Sequence, residues 1–457
     1  MQILKKIGLI GLLLIVTFSL SGATCKSQKA QDQQEITITM WHLFDNEEVF
    51  KPFIDAYHVA HPNVKINFVK KDPAEYEEES LDALAQGEGP DIWLIRNDWV
   101  YKDYKKVVEM PAGAMKNSDK DTRSNLDIYK ETFPQVVLDD NTVDGKIYAL
   151  PFYVDTLALY WNRDIFSQTS RELEKQGTTE DPTLFQNPPS TWDSVIKLDK
   201  YLTKKTSDNK IEKSGIALGT SYNVQDATDI LAGLMLQNHT KMVSDDKKSA
   251  TFNLPIKKET GEPVYAGTQA LEFYTSFANS GKESYSWNSE MPNSLTAFIE
   301  GKTAMMVGYE YYTNTIKQKN PNLNYGTAPL PQIKGSSSAV DYASYWTETV
   351  TKNSKHPDIA WDFLISTFKT GLDSYLMATG RPSPLKPADV PDMGQRPLRM
   401  DPFRFQQATA QSWFKGKYPT KMDKVLSDLI DNVVIYNQPS QTAIDAAASQ
   451  ATLLLNH

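Results

Sequence analysis

A single segment, residues 144–166, joins a turn, two apolar strand-like runs and one isolated carboxylate. Pro151 lies in the first run and confines it to a sheet edge or to a crossing between domains, because proline cannot donate a hydrogen bond within a sheet. Asp155 separates the two runs. Since an unpaired buried carboxylate is strongly destabilising, this residue either caps a turn with Thr156 or lies in a solvated cleft. The segment therefore predicts an extended crossing with an acidic side chain at its centre.

The N-terminus has the form of a secretory signal. Lys5 and Lys6 precede an uncharged apolar run over residues 7–20, which is too short for a membrane-spanning helix. We therefore expect residues 1–24 to be a signal peptide and the protein to be exported.

Cys25 is the only cysteine of the chain, so no intramolecular disulfide can form. The residues after it are polar, and residues 25–34 are predicted to form a tether. Two interpretations stay open, because Gly22 and Thr24 depart from the usual lipoprotein signal. Either Cys25 is a lipid attachment site that anchors the protein to the outer face of the cell membrane, or the protein is free in the periplasm or outside the cell.

The size and charge of the chain indicate a soluble protein of two domains. About 420 residues follow the signal peptide and tether, which is too many for one hydrophobic core. The net charge of −9 disfavours nucleic acid or an anionic membrane surface as a partner.

The apolar periodicity after residue 35 predicts a β-α-β-α-β unit. Alternation predicts strands and helical spacing predicts helices, in the order 36–40, 49–57, 64–68, 76–84 and 91–95. Strands that alternate with helices favour a mainly parallel sheet covered on both faces. In such sheets ligands bind beyond the carboxyl ends of the strands.

The ends of two predicted strands place aromatic rings beside polar side chains, namely Trp41, His42 and Asp45 in one loop and Asn97, Asp98 and Trp99 in the other. Rings stack on the flat C–H faces of a sugar, and carboxylates and amides bind its hydroxyls. The alternative is structural, with the tryptophans in the core and the acids capping helices. From the residues alone both stay open.

The crossing at residues 144–166 closely resembles the segment at which carbohydrate-type solute-binding proteins of bacterial ABC importers pass from one lobe to the other. Similar motifs lie at residues 36–50, 89–92, 188–193, 297–306, 325–331, 356–364 and 380–384. By these motifs the chain is identified as a member of extracellular solute-binding protein family 1, which includes maltose-binding-protein-like receptors.

The resemblance implies an α/β fold of the two-lobed periplasmic-binding-protein type, type II. Each lobe would be a mainly parallel sheet covered by helices, with the ligand cleft between the lobes. The first lobe is expected to comprise residues 35–149 plus 341–388, and the second residues 150–340 plus 389–457.

The resemblance also implies a set of ligand-binding residues. Asp45, Asp98 and Asp155 would accept hydrogen bonds from hydroxyl groups. Tyr309 or Tyr311 would stack on the ligand where the family usually has a tryptophan. Loops that often contact solute in this family add Tyr222, Asn223, Trp287, Tyr345, Trp346 and Arg381.

Motifs of other protein classes are absent from the sequence. It has no Gly-x-Ser-x-Gly elbow, no phosphate-binding loop and no metal-ligand pattern among its six histidines. We therefore expect no catalytic residue, no cofactor and no metal.

The resulting hypothesis is a monomeric receptor that binds a sugar or oligosaccharide and delivers it to the permease subunits of an ABC importer. Two alternatives are kept. A secreted glycoside hydrolase would need two carboxylates about 5–10 Å apart around a glycosidic bond. A receptor for a polyol phosphate would need several basic side chains in the cleft, where only Arg381 is evident.

Overall fold

The computed structural model describes residues 35–177, 181–257, 261–387 and 401–457. The predicted signal peptide, the tether with Cys25, and residues 388–400 of the predicted lobes lie outside the described residues. Within the described ranges, no helix has the length and apolar character that a membrane span requires.

The elements follow one another in three stretches of chain. The first contains β1 (Ile36–His42), α1 (Glu47–Ala60), β2 (Val64–Lys70), α2 (Tyr76–Gln86), β3 (Ile92–Arg96), α3 (Val100–Asp103), α4 (Asn125–Thr132), α5 (Gln135–Asn141), β4 (Thr142–Val143) and β5 (Lys146–Ile147). The second contains β6 (Ala158–Asn162), α6 (Arg163–Lys175), α7 (Trp192–Leu202), β7 (Lys204–Lys205), β8 (Ile211–Ile216), α8 (Ala227–Gln237), β9 (Ile256–Lys257), β10 (Pro263–Val264), α9 (Ala266–Ser276), α10 (Ser294–Ile299), β11 (Thr303–Gly308), α11 (Tyr312–Lys319) and β12 (Tyr325–Ala328). The third contains β13 (Asp341–Tyr342), β14 (Trp346–Val350), α12 (Pro357–Thr379), β15 (Ala410–Gln411), α13 (Pro419–Val434) and α14 (Ser440–Leu455).

The first lobe is built on a four-stranded sheet in the order β14-β3-β1-β2. Its β1–β2 and β1–β3 pairs are parallel, as the alternation of strands and helices predicts. Met40 lies beside Ile92 and Trp41 beside Trp93, and because successive side chains of a strand point to opposite faces, the two pairs enter different apolar clusters. The sheet is thus covered on both faces.

The second lobe differs from the expected mainly parallel sheet. Its order is β12-β6-β11-β8-β7, and only the β8–β11 pair is parallel. Strand β6 begins directly after the crossing and runs away from the cleft, whereas its neighbours β11 and β12 run the other way. Strand β14 enters the first sheet in the same manner, antiparallel to β3. A strand that arrives from the other lobe is therefore reversed relative to its neighbours.

The lobes are joined by extended segments that run side by side. The outward and return segments form antiparallel bridges between Leu150 and Glu348 and between Thr156 and Ala343. A third segment, β15, pairs in parallel with β13. Phe152 and Val154 pack in the core of the first lobe, while Leu157 packs in that of the second. The change between cores thus falls at Asp155 and Thr156; the exact lobe boundaries remain a prediction.

Candidate ligand-binding cleft

A cavity of about 620 Å³ lies between the lobes, where β1, β3 and β11 end and β14 begins. Its walls come from both lobes, and it is lined by Phe44, Asp45, Asn46, Val49, Arg96, Tyr153, Asp155, Asp226, Asp229, Tyr309, Glu310, Tyr311, Asn314, Thr315, Ser344, Trp346, Ala378, Thr379 and Arg381. Six residues predicted from the sequence meet here, namely Asp45, Asp155, Tyr309, Tyr311, Trp346 and Arg381.

Asp45 and Arg381 form an ion pair in the wall of the first lobe. Asp45 Oδ1 accepts a hydrogen bond from Arg381 Nη2 at 2.9 Å, and Asp45 Oδ2 accepts one from the Tyr375 hydroxyl at 2.8 Å. Burial alone would raise the pKa of Asp45, but the charges of His42 and Arg381 and the hydrogen bonds lower it below its usual value. The guanidinium also lies 4.2 Å from the centre of the Tyr153 ring. Arg381 is therefore held in a fixed position at the cleft.

Asp155 both caps the turn with Thr156 and lines the cavity. Its Oδ1 accepts hydrogen bonds from the backbone N–H groups of Thr156 at 2.8 Å and Glu310 at 3.0 Å. The residue is 2% exposed and lines the cavity. Burial raises its pKa well above the usual value. It thus fixes the turn at the crossing and ties that turn to the loop after β11.

Aromatic rings line the cavity on both sides. In the first lobe Trp346 packs edge-on against Phe44, with ring centroids 5.5 Å apart. In the second lobe Tyr309 and Tyr311 are nearly parallel, with centroids 6.0 Å apart. Tyr311 is 47% exposed and Tyr309 only 3%, so Tyr311 offers the larger open face. Aromatic rings from both lobes suit a ligand that has flat apolar faces.

The structure places six predicted residues of the first lobe beneath the cleft rather than on its surface. Trp41 and Trp99 are buried, with Lys71 3.8 Å over the Trp41 ring and Trp346 packed edge-on against Trp99. His42 lies between Asp45 and Glu348, at 3.7 and 3.3 Å. These three side chains support the residues that line the cavity.

Asn97 and Tyr345 hold the crossing segments together. The Asn97 amide and the Tyr345 hydroxyl both donate to Asp140 Oδ2, at 2.9 and 3.0 Å, and Ser412 donates to the other oxygen. Asp98 is buried in ion pairs with Arg96 at 2.6 Å and Lys415 at 3.0 Å. Each of the three polar groups is already engaged by the protein.

Three predicted residues of the second lobe also lie outside the lining. Trp287 is fully buried and its Nε1 donates to Asn223 Oδ1 at 2.9 Å. The Asn223 amide in turn donates to the carbonyl of Met291 at 2.9 Å. Tyr222 is 50% exposed. This loop is stabilised from within, because its polar groups satisfy one another.

Several lining residues carry no motif in the sequence that marks them as site residues. Asp226 directly precedes α8 and Asp229 lies in its first turn, shortly after the loop of Tyr222 and Asn223. Phe44 and Tyr153 lie close in sequence to the predicted site residues Asp45 and Asp155. This proximity is the one sequence feature that indicates a place in the site.

The second lobe contributes half-buried acids to the cavity. Tyr312 donates to Asp226 at 2.8 Å and Tyr309 donates to Asp229 at 2.7 Å. Burial raises the pKa of Asp226 to about 7 and that of Glu310 to about 7. In the described part of the chain, no group of three or more His, Cys, Asp or Glu side chains is arranged to hold a metal ion. The acids therefore serve as hydrogen-bond acceptors in this geometry.

Comparison with known proteins identifies the class to which this cleft belongs. The model of the family "Bacterial extracellular solute-binding protein" matches residues 53–392, and the chain belongs to this family. It is therefore an exported binding protein and not an enzyme, as the sequence motifs predict.

The chain is similar to the maltotriose-binding protein of Pyrococcus abyssi, with 23% identity over 338 residues that cover 72% of this chain and 61% of the relative. It is 25% identical to the lactose-binding protein of Rhizobium radiobacter over 370 residues, which cover 79% and 76% of the two chains. Its fold is similar to that of the cyclic alpha-maltosyl-1,6-maltose binding protein from Arthrobacter globiformis, with a TM-score of 0.70, 19% identity and coverage of 92% and 99%. The predicted two-lobed α/β fold is confirmed.

Proposed function

We propose that this protein binds a sugar or oligosaccharide in the cleft between its lobes and delivers it to the permease of an ABC importer. The observation that carries the proposal is that one cavity brings together Trp346 of the first lobe, Tyr311 of the second lobe, and the polar side chains Asp155 and Arg381. A pyranose ring presents flat C–H faces to such rings and hydroxyl groups to such polar side chains.

The size of the cavity agrees with a small saccharide. Ligand sites of this kind commonly have volumes of roughly 300–1,000 Å³, and this cavity measures about 620 Å³. The relatives named above bind maltotriose and lactose, and the structurally similar protein binds a cyclic maltosyl-maltose. These names support a carbohydrate without specifying which one.

Membrane attachment through Cys25 and a monomeric state are part of the same proposal. An extracellular receptor must reach its permease, and a lipid on Cys25 with a polar tether up to residue 34 would keep it at the membrane surface. Mass spectrometry of the protein from membranes, compared with Cys25→Ser, tests the anchor. An unmodified N-terminus in the wild type would exclude it.

Thermal-shift screening of the mature protein against neutral mono- and oligosaccharides tests the ligand class. A ligand at ~100 times its dissociation constant should add about 2.7 kcal/mol to the free energy of unfolding. Calorimetric titration then gives the affinity, and chromatography should return the oligosaccharide unshortened.

Variants connect the binding to this cleft. Trp346→Ala and Tyr311→Ala should each weaken binding, because each removes a stacking surface. Tyr222→Ala is the matched control, since Tyr222 is similarly exposed but does not line the cavity. Full affinity in both cleft variants would refute the proposed site.

A further inference from the structure

The charges around the cleft are not balanced. Three buried or half-buried cations each lie next to a carboxylate, in the pairs Arg381–Asp45 at 2.9 Å, Arg96–Asp98 at 2.6 Å and Lys415–Asp423 at 2.6 Å. These pairs leave the remaining acids of the cavity without a cation of their own. All of the remaining acids belong to the second lobe or to the crossing, and they are Asp155, Asp226, Asp229 and Glu310.

The hydrogen-bond donors of these four acids are mostly neutral. Tyrosine hydroxyls donate to Asp226 and Asp229, and backbone N–H groups donate to Asp155. Asp229 also lies 3.9 Å from Lys415, but that ammonium group is shared with Asp98 and Asp423 at shorter distances. Within the described ranges, Asp155 and Glu310 form no salt bridge with an arginine or lysine.

Asp155 shows that this wall is open to a ligand. The Asp155 side chain is 2% exposed to solvent, yet it lines the cavity. Both of its hydrogen bonds go to Oδ1, and among the described residues none goes to Oδ2. The Oδ2 atom of Asp155, at the cavity wall, is therefore available to a donor on the ligand.

Closure of the lobes would be destabilised by the excess of acidic side chains in the cavity wall. When water is expelled, like charges in a less polar medium repel more strongly unless a proton or a cation compensates them. Ligand hydroxyls supply hydrogen bonds but no charge. An ammonium group supplies both, and charge-assisted hydrogen bonds are the stronger kind.

Resting on the proposed function, we infer that the preferred ligand is a saccharide with a protonated amine, an amino sugar, whose ammonium group lies against Asp155, Glu310 and the acids of α8. Arg381 and Arg96, already paired with carboxylates, leave little positive charge for a phosphate or a uronate. Anionic saccharides should therefore bind worse than neutral ones.

Matched saccharides test the inference on the mature protein. The probes are glucosamine, galactosamine, mannosamine and the β-1,4-linked glucosamine disaccharide, each compared by calorimetry with its 2-hydroxyl and N-acetyl counterparts. The amine should bind about ten- to a hundredfold more tightly than its counterparts in at least one set. Its affinity should also fall as salt is added, since the attraction is between charges.

The variants Glu310→Gln and Asp226→Asn should remove most of that preference, so that the amine and its hydroxyl counterpart bind with similar affinity. Glu300→Gln, at an exposed glutamate outside the cavity, controls for the loss of one negative charge. If neutral saccharides bind as tightly as the amines or more tightly, the inference is wrong and the proposed function stands. If no saccharide of any kind binds, both are wrong.

Discussion

Arg96 and Asp423 form a 3.0 Å ion pair that connects the end of β3 in the first lobe with α13 in the second. A second ion pair between the lobes, Lys415–Asp98 at 3.0 Å, lies beside it. Lys415 also pairs with Asp423, so the four charges form one cluster at the base of the cleft. The lobes are therefore held together by buried polar contacts as well as by the crossing segments.

Removal of one member of this cluster should destabilise the protein. Asp423→Asn leaves Arg96 and Lys415 to share the carboxylate of Asp98, with Asp229 more distant, at 3.9 Å from Lys415. Since a buried charge without its partner is costly, we expect a loss of about 1–3 kcal/mol in the free energy of unfolding, measured by denaturant titration. Asp428→Asn is the matched control on the same helix, because Asp428 pairs with the exposed Lys424 and such pairs contribute about 0–1 kcal/mol. Equal effects of the two variants would argue against a stabilising cluster.

Ligand binding should close the lobes about the crossings. The segments at residues 150–156 and 343–348 run side by side and change core at Asp155, so small dihedral changes there would rotate one lobe against the other. We expect small-angle scattering to show a smaller radius of gyration with saturating ligand. The same radius with and without ligand, once binding is established, would contradict a hinge at this position.

Two different substitutions of Asp155 should distinguish its contribution to stability from its contribution to ligand binding. Asp155→Asn keeps an oxygen acceptor for the N–H groups of Thr156 and Glu310, so the protein should remain nearly as stable as the wild type. Its affinity should fall by about 1.5–3 kcal/mol, about ten- to a hundredfold, because an acceptor for the ligand is lost.

Asp155→Ala removes the oxygen that binds the backbone N–H groups as well as the oxygen available to the ligand. In this variant the free energy of unfolding should fall too, by about 1–3 kcal/mol. Calorimetric titration and melting curves on both variants distinguish the two effects. Wild-type affinity in the asparagine variant would mean that Asp155 only supports the turn.

The architecture and the position of the cleft could be predicted from the sequence because they depend on short-range patterns. The alternation in β1 and β3 places their ends at one edge of the sheet, and Asp45, just beyond the end of β1, lines the cavity there. Side-chain direction beyond a strand end depends on tertiary contacts. Asn97 turns inward because Asp140, 43 residues later, accepts its hydrogen bond.

The direction of the strands in the second lobe could not be predicted from the sequence either. An apolar run such as that of β6 has the same pattern in a parallel and an antiparallel sheet, and only its position after the crossing reverses it. The acids of α8 reach the cavity because the second lobe folds α8 against the cleft, a contact that no local motif encodes.

Asp199 should make the stability of the second lobe depend on pH. This residue of α7 is 1% exposed, and burial raises its pKa to about 7, although Thr203 donates a hydrogen bond to it at 2.9 Å. In the unfolded chain the pKa returns to its ordinary value near 4, so between about pH 4 and pH 7 the folded state holds a proton that the unfolded state has released. The stabilisation from this proton is fully present below pH 4 and is lost as the pH rises through 7. Because one pKa unit corresponds to 1.36 kcal/mol, the loss amounts to at most about 4 kcal/mol.

Asp199→Asn retains the acceptor for Thr203 and cannot ionise. We therefore expect this variant to be more stable than the wild type at pH 8 and about equally stable at pH 4, measured by denaturant unfolding across that range. Between pH 4 and pH 7 the folded wild type binds more protons than the unfolded chain, so its free energy of unfolding falls as the pH rises. The curve of the wild type should therefore fall more steeply over this range than the curve of the variant. Parallel curves for the two proteins would show that Asp199 is ionised in the folded state at little cost, with its charge satisfied by the hydrogen bonds of α7 and its neighbours.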